Sequence, residues 1–312
     1  MRVIVTGGAG FIGSHVADAA LERGHEVLVI DDLSGGKREN VPSGARFVQL
    51  DIRDGEKLNA LVGEFKPDVI AHQAAQTSVS VSTREPIRDA EINILGSIHL
   101  ANAAVEHGSR LVFASTGGAI YGEVPEGKRA KEGDPTVPLS PYASSKLAFE
   151  NYLYGYFARE RGLKSTVLRY ANVYGPRQDP HGEAGVVAIF SQRIKAGQPI
   201  AVYAKKEPGD GGCVRDYVFV ADVVKANLAA IDGKIERPTM NVATGVAATT
   251  KQLADLLLRE LGGKVQVNDG PRRAGDLERS VLDPSYFESV VGKPVGIDEG
   301  LTKTAQWFAA RG

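Results

Sequence analysis

A cluster of glycines near the N-terminus constrains the fold of this chain more than any other feature. The apolar, β-branched segment Val3-Ile4-Val5 runs directly into Thr6-Gly7-Gly8-Ala9-Gly10-Phe11-Ile12-Gly13. Glycines where a strand turns into a helix let the backbone reach a phosphate at the helix N-terminus, and the last glycine lets the helix pack closely. The segment predicts a strand, a tight turn and a helix that begins at Phe11. A dinucleotide site is expected here, and a structural turn without a ligand is the alternative.

Strand-like runs alternate with helical patterns through the first half of the chain. The runs are Val3–Val5, Glu26–Ile30, Phe47–Gln49, Val69–Ala71, Leu111–Ala114 and Thr166–Tyr170. This alternation is typical of βαβ units with right-handed crossovers. It predicts an α/β fold with a doubly wound, Rossmann-type parallel sheet.

After Tyr170 the alternation loosens around stretches rich in glycine and proline. We therefore predict a smaller C-terminal α/β domain that is interleaved with the first and binds the substrate. The expected limits are 1–171 for the dinucleotide-binding domain, with 214–244 contributing, and 172–213 with 245–312 for the substrate domain.

Composition excludes several classes of protein. The 312 residues include one Cys, and 37 Lys and Arg face 38 Asp and Glu. One thiol makes neither an internal disulfide nor a Cys-based zinc site, and balanced charge argues against nucleic-acid binding. No apolar run reaches the roughly 18 residues of a membrane span, and no signal peptide is recognisable. We expect a cytoplasmic protein that binds no nucleic acid, membrane or metal.

The second predicted strand ends in Asp31-Asp32. A carboxylate at this position accepts hydrogen bonds from the adenosine ribose and repels a 2′-phosphate, which predicts NAD rather than NADP. Asp31 is the first choice because it directly ends the strand.

Two later segments fit the same cofactor. Asp51 and Ile52 follow the third strand and would meet the adenine, with helix capping as the alternative for Asp51. Ala74 and Ala75 follow the fourth strand and would cover the pyrophosphate. His72, just before them, is expected to be a packed loop histidine rather than a catalyst.

A Tyr and a Lys lie four residues apart at the start of a predicted helix, Tyr142 and Lys146. Tyrosine has a reference pKa of about 10, so it needs help to act as a base at neutral pH. A neighbouring ammonium and a positive nicotinamide ring would both favour the phenolate. At the end of the fifth strand Thr116, with Ser115 as second choice, would share the substrate proton. A surface contact for the Tyr and Lys, and local cap bonding for the hydroxyls, are the alternatives.

Together these motifs resemble the extended short-chain dehydrogenase/reductase superfamily over essentially the whole chain. Within it they are most similar to the UDP-glucose 4-epimerases. The loop Ser115–Gly122 supports this, because 4,6-dehydratases carry an adjacent Asp and Glu where this chain has Gly117 and Gly118. The resemblance implies that NAD contacts Gly7, Gly10, Phe11, Ile12, Gly13, Asp31, Asp51, Ile52, Ala74, Ala75, Asn93, Tyr142 and Lys146.

The resemblance also implies an activity. Tyr142 would take the proton of the sugar 4-hydroxyl while NAD accepts a hydride from C4. The 4-keto sugar would turn over and receive the hydride on its other face, with Thr116 and Lys146 assisting. Because NAD is regenerated, it should stay tightly bound.

A substrate site for a UDP-sugar follows from the same resemblance. Asn172, Arg215 and Arg273 would contact the diphosphate, and Asp276 the ribose. The segment from Ile200 to Tyr203 would pair with the uracil. The complete set of substrate-binding residues that the resemblance implies is Thr116, Tyr142, Asn172, Ala201, Tyr203, Arg215, Arg273, Asp276 and Ser280. Surface ion pairs are the alternative for each Arg. One departure is Thr77, which stands where some members have a Lys near the diphosphate.

Ser280 bears on the range of sugars. The resemblance places it beside the 2-substituent, where an aromatic residue would exclude an N-acetyl group. We therefore expect UDP-N-acetylhexosamines to be epimerised as well.

Other interpretations stay open at this point. A 4,6-dehydratase or a uronate decarboxylase would use the same Tyr, Lys and NAD. A net reductase would prefer NADPH, against which Asp31 argues. A protein that senses NAD without catalysis is the alternative of a different class.

The segment Pro141–Arg161 is predicted to form a helix with apolar residues around most of its circumference. A helix of this kind is buried on all sides. One side would pack on the sheet, and the other would meet a second copy of the chain beside the helix Asn93–His107. A homodimer through a helix bundle is the prediction, with burial under the C-terminal segment as the alternative.

Overall fold

A computed structural model describes residues 1–180, 185–273 and 276–311. The strands are β1 Arg2–Thr6, β2 Glu26–Asp31, β3 Arg46–Gln49, β4 Val69–His72, β5 Arg110–Thr116, β6 Ser165–Tyr170, β7 Asn172–Tyr174, β8 Ile200–Tyr203, β9 Val214–Phe219, β10 Thr239–Val242, β11 Ala247–Thr249, β12 Val267–Gly270 and β13 Arg279–Ser280.

The helices are α1 Phe11–Glu22, α2 Gly55–Phe65, α3 Val79–Arg84, α4 Pro86–Ala90, α5 Ser97–Glu106, α6 Gly117–Ile120, α7 Pro141–Tyr152, α8 Ala158–Arg161, α9 Val186–Lys195, α10 Val220–Ile231, α11 Thr250–Leu261, α12 Ser285–Val291 and α13 Ile297–Ala309. A 3₁₀ turn occupies Arg38–Asn40, and π-helical turns occupy Glu91–Gly96 and Leu153–Phe157. The predicted helix from Pro141 to Arg161 is therefore α7, a π-helical turn and α8.

A seven-stranded sheet has the order β10-β6-β5-β4-β1-β2-β3. Strands β3, β2, β1, β4 and β5 pair in parallel. The strand order changes direction between β1 and β4, and ligands of such sheets bind at the carboxyl ends of the strands at that point. The predicted doubly wound α/β fold is confirmed.

The strands of this sheet are β-branched, apolar runs because helices cover both faces of it. Ile4, Leu28, Ile70 and Phe113 are buried in one apolar cluster with residues of α2, α5 and α7. This packing anchors the strand ends that carry the motifs described above.

Two smaller sheets form from later strands. β9 pairs with β7, β11 and β13, and β8 pairs in parallel with β12. Their registers place Ser280 opposite Arg215 and Gly270 opposite Tyr203.

The chain divides into two compact units. The first contains Met1–Thr116, Ser140–Arg169 and Val224–Met240, and the second contains Gly117–Leu139, Tyr170–Val223 and Asn241–Gly312. These limits differ from the predicted domain limits. Gly117–Leu139 joins the second unit because the amides of Val124 and Ala130 donate to the carbonyls of Arg279 and Val281. Strand β9 joins it through pairing with β7, β11 and β13.

Within the described ranges, no helix has the length and apolar character to cross a membrane. Across the same ranges, no cluster of three or more His, Cys, Asp or Glu side chains has an arrangement that would hold a metal ion.

Candidate active site

The glycine turn between β1 and α1 has no room for a Cβ at Gly7 or Gly13. A Cβ on Gly13 would lie 2.1 Å from the carbonyl oxygen of Gly7. Gly7 has a φ of +67°, and a Cβ there would lie 2.7 Å from the amide nitrogen of Ala74. Gly10 is the N-cap of α1 and brings no capping side chain. Phe11 and Ile12 follow as the first, half-buried residues of the helix. The turn is thus a bare backbone cradle at a helix N-terminus, which fits a pyrophosphate.

Asp31 holds this cradle in place. Its carboxylate accepts hydrogen bonds from the amides of Ala9 at 2.9 Å and Leu33 at 2.8 Å. The side chain is buried, and burial raises its pKa despite these bonds. Asp32, the neighbour, bonds Ser34 instead. A role of Asp31 in binding the ribose stays a prediction.

Asp51 binds Arg53 within its own turn, with Nη2 and Oδ2 2.5 Å apart. This hydrogen bonding lowers the pKa of Asp51. The cap of α2 is Asp54 and not Asp51. Ile52 is buried, and a Cβ on Gly96 would lie 2.7 Å from its Cγ1. Contact of Asp51 and Ile52 with the adenine stays a prediction.

The segment after β4 is held against the glycine turn. The amide of Ala74 donates to Thr6 Oγ1 at 3.2 Å, and Ala75 is half-buried beside it. Asn93 is buried and pairs with the backbone of Gln76 through Oδ1 at 3.1 Å and Nδ2 at 2.9 Å. Asn93 therefore shapes the segment that was predicted to cover the cofactor.

His72 belongs to the end of β4, although the sequence predicted a loop histidine. Its ring nitrogens lie 2.8 Å from Thr6 Oγ1 and 2.9 Å from Ser97 Oγ. Burial lowers the pKa of His72 to about 3, so the ring is neutral. The histidine ties two strands and a helix together and is fully enclosed.

Tyr142, Lys146 and Thr116 come together at the carboxyl end of β5. Ser140 starts α7 by accepting the amide hydrogen of Ala143, and Pro141 occupies the first turn. Tyr142 is hydrogen-bonded to Thr116. The Nζ atom of Lys146 donates to the carbonyl of Ala114 at 3.0 Å.

Burial controls the protonation of this group. It raises the pKa of Tyr142 to about 12, and the hydrogen bond with Thr116 opposes the rise. It lowers the pKa of Lys146 to about 8. The sequence predicts that Lys146 and the nicotinamide ring lower the pKa of Tyr142. Burial is the largest influence on Tyr142 in the structure, and a positively charged nicotinamide ring, when bound, would oppose it.

Ser115, the second choice beside Tyr142, has another partner. Its Oγ donates to Glu150 Oε1 at 2.5 Å, and both residues are buried. The structure therefore leaves Thr116 as the hydroxyl that bonds Tyr142.

Apart from Thr116 and Tyr142, the predicted substrate residues lie in the second unit. Asn172 begins β7, and a Cβ on Gly118 would lie 3.1 Å from its Oδ1. Arg215 lies opposite Ser280, which is buried. Burial raises the pKa of the Cys213 thiol, and the charges of Arg215 and Asp276 act on it in opposite directions.

Tyr203 and Arg273 stack, with the guanidinium carbon 3.5 Å from the ring centroid. Ala201, on the same strand, is half-buried and pairs with Asn268. Arg272 points elsewhere and forms an ion pair with Glu278 at 3.7 Å. Ala274 and Gly275, which complete this motif, lie outside the described residues.

Comparison with known families decides the assignment. The model of the NAD dependent epimerase/dehydratase family matches residues 3–243. The chain belongs to this family. The glycine cradle, in which a Cβ on Gly7 or Gly13 would collide with backbone, fits the dinucleotide that the family uses, and the predicted cofactor NAD is confirmed.

Individual relatives of this family member are similar over their full length. A UDP-glucose 4-epimerase of Mycolicibacterium smegmatis is 44% identical over 99% of this chain and 98% of its own. The structure of the Thermus thermophilus UDP-glucose 4-epimerase complex with NAD is 51% identical, covers 100% of both chains and has a TM-score of 0.95. The Thermotoga maritima UDP-glucose 4-epimerase with UDP-glucose is 45% identical, covers 99% of both chains and has a TM-score of 0.92. The resemblance to UDP-glucose 4-epimerases is confirmed.

Proposed function

We propose that this family member interconverts UDP-glucose and UDP-galactose by NAD-dependent oxidation and reduction at C4 of the sugar. The observation that carries the proposal is the placement of Tyr142 and the buried Lys146 one turn apart at the start of α7, with the Lys146 ammonium bonded to the carbonyl of Ala114 on β5, which ends at Thr116, in the unit that holds the glycine cradle. Relatives that are 44 to 51% identical over nearly the whole chain have this activity in their names.

Tyr142, Thr116 and Lys146 have different roles in the reaction. Tyr142 accepts the proton of the 4-hydroxyl, Thr116 relays it by sharing the hydrogen bond, and Lys146 holds positive charge beside them. When bound, NAD supplies the site that takes and returns the hydride. Lys146 is buried behind the half-buried Tyr142, so its charge acts on Tyr142 with little screening by water. The same chemistry runs in both directions, so no net oxidant is consumed.

We further propose that the second unit binds the UDP part of the substrate. Arg215 and Arg273 carry planar guanidinium groups, which match the oxygen atoms of a diphosphate. Asn172 would contact the same diphosphate, Ala201 and Tyr203 the uracil, and Asp276 the ribose. The first unit would bind NAD and the second the sugar nucleotide, and a cytoplasmic location stays a prediction from the sequence.

An assay without added NAD tests the main proposal. Purified protein incubated with UDP-galactose should form UDP-glucose up to a constant ratio, because the cofactor is resident and regenerated. Separation of the sugar nucleotides measures the ratio, and the denatured protein should release NAD. Release of NAD without any conversion would show that the cofactor site is right and the sugar assignment wrong.

Ser280 predicts activity on N-acetylated sugars. A serine side chain is small, so UDP-N-acetylgalactosamine should be converted to its gluco epimer. The Ser280→Tyr variant should lose this conversion by about 10-fold or more relative to UDP-galactose turnover in the same preparation, since a steric clash costs a few kcal/mol. UDP-galactose serves as the internal control because it tests whether the buried site still folds. No conversion of the N-acetyl substrate by the unaltered protein would refute the prediction.

We propose that the chain forms a homodimer through the exposed apolar face of α3, α4, α7 and the two π-helical turns. These elements pack on one another, and their exposed apolar side chains are Val79, Ile87, Leu95, Tyr152 and Tyr156. Ile87 is 76% exposed and Leu95 52%. A clustered apolar surface of this kind is typical of an interface, and a second copy offers the matching surface.

Sedimentation velocity at micromolar concentration tests the dimer. The unaltered protein should sediment as a dimer, and Ile87→Glu with Leu95→Glu should shift it to the monomer because two charges would be buried without partners. Val246→Glu is the matched control, since Val246 is 53% exposed in the second unit. The alternative of burial under the C-terminal segment does not hold, since this face is exposed with that segment present, and a monomeric unaltered protein would refute the dimer.

A further inference from the structure

A buried ion pair lies directly behind the reactive group. Glu150 is fully buried and accepts hydrogen bonds from Arg169, whose Nε lies 3.1 Å from Oε1 and whose Nη2 lies 2.6 Å from Oε2. Arg169 is 5% exposed and belongs to β6. Buried ion pairs contribute little net stability, because the desolvation of two charges offsets their attraction. The position of this pair therefore calls for a reason other than stability.

The pair is part of a regular set of contacts between α7 and β5. Tyr142, Lys146 and Glu150 are spaced at four-residue intervals, which places them on one helix face. Each is bonded by one of three consecutive strand residues: Lys146 by the carbonyl of Ala114, Glu150 by the hydroxyl of Ser115, and Tyr142 by Thr116. Arg169, on the neighbouring strand β6, forms the ion pair with Glu150. Loss of Glu150 would remove one of the three contacts that hold this helix face on the strand that carries Thr116.

The charges around Lys146 are few. Asp89 of α4 and Glu150 both raise its pKa against the effect of burial. His72 of β4 is neutral, as described above. On the other elements that pack against α7, Arg84 of α3 is exposed, and Glu91 forms an ion pair with Arg53 at 3.3 Å. Asp89 Oδ1 accepts from the neutral amides of Gln76 and Asn93, so Asp89 is a second anion acting on Lys146, and it is the same in every variant of Glu150 and Arg169.

We propose that Glu150 and Arg169 are a positioning pair that sets the place and the charge of Lys146 beside Tyr142. The importance of this positioning role for turnover rests on the proposed function. Neither residue contacts the substrate; both act through Lys146 and the register of α7 on β5.

The two partners should act on Lys146 with opposite signs. Glu150→Gln keeps the hydrogen-bonding shape but removes the anion that raises the pKa of Lys146 and leaves the cation of Arg169 buried, so the lysine should lose its proton at lower pH. Arg169→Gln leaves the anion of Glu150 uncompensated, so the lysine should hold its proton to higher pH. The double variant restores neutrality, and its midpoint should return to that of the unaltered protein.

Titration of Lys146 by NMR tests this without any need for turnover. The NAD-loaded protein is labelled with ¹³C at lysine Cε, and the signal of Lys146 is assigned by its disappearance in Lys146→Arg. The expected shift of the midpoint is about one pH unit downward for Glu150→Gln and about one upward for Arg169→Gln, because buried charges are weakly screened. Unchanged midpoints, or shifts of both single variants in the same direction, would overturn the proposal.

Arg169→Lys is the variant to measure if Glu150→Gln or Arg169→Gln fails to fold. It keeps the charge but loses the two-pronged geometry, so the midpoint of Lys146 should stay within about 0.3 pH unit while kcat for UDP-galactose falls about 10-fold through misplacement. A kcat equal to that of the unaltered protein would overturn the positioning role. Failure of the unaltered protein to epimerise UDP-galactose would refute the proposed function alone, since the NMR midpoint is measured independently.

Discussion

The Tyr142→Phe variant is expected to lose about 10²- to 10⁴-fold in kcat for UDP-galactose while keeping its NAD, because removal of a positioned general base has effects of this size. Phenylalanine preserves the ring and its packing, so the loss would come from the hydroxyl that Thr116 bonds. Initial rates of UDP-glucose formation measure kcat, and NAD released on denaturation measures cofactor content.

A second tyrosine in the continuation of the same helix provides the matched control. The hydroxyl of Tyr154 bonds Thr239 Oγ1 at 2.5 Å, away from Lys146. Tyr154→Phe should therefore keep kcat within about 2-fold of the unaltered protein, as expected for a single neutral hydrogen bond outside the reactive group. Full activity of Tyr142→Phe would refute the assignment of the base, and equal losses in both variants would point to a general structural effect.

The Gly13→Ala variant is expected to lose its resident NAD. The added Cβ would lie 2.1 Å from the carbonyl oxygen of Gly7, so the backbone of the cradle would have to move. A displacement of about 1 Å can cost about 10² in activity, and overpacking of this kind also destabilises folding by about 1–3 kcal/mol. NAD content, turnover without added NAD and the free energy of unfolding are the measurements.

Gly133→Ala is the control for this variant, because a Cβ on Gly133 would meet nothing within 4 Å. It should retain NAD, turnover and stability. Retention of NAD and full turnover by Gly13→Ala would contradict the role of the glycine turn as a tight cradle for the cofactor.

The features that the sequence predicted are those that depend on neighbours along the chain. Strand runs such as Val69–Ala71 and Leu111–Ala114 lie within the observed strands β4 and β5. The turn at Gly7 to Gly13 follows from residue type, because each glycine is needed for local backbone approach. The four-residue spacing of Tyr142 and Lys146 predicts one helix face without knowledge of the fold.

The contacts that escaped prediction join residues that are distant in sequence. His72 and Thr6 are 66 residues apart, and Arg169 and Glu150 are 19 apart on different elements. No local pattern shows that a charged Glu will be fully enclosed or that Ser115 will bond it. The raised pKa of Tyr142 escaped for the same reason, since burial is a property of the folded chain and not of the spacing between two residues.

The polypeptide crosses from one unit to the other five times between Met1 and the C-terminus. A single recombination point between two homologous genes would therefore split at least one unit into segments of different parentage. A unit built from separate segments cannot be replaced as one contiguous cassette, so we expect new specificities to arise by point substitutions and changes in loop length within the existing chain. Sequences that diversify in this manner should retain a constant order of segments even when the sugars they act on differ.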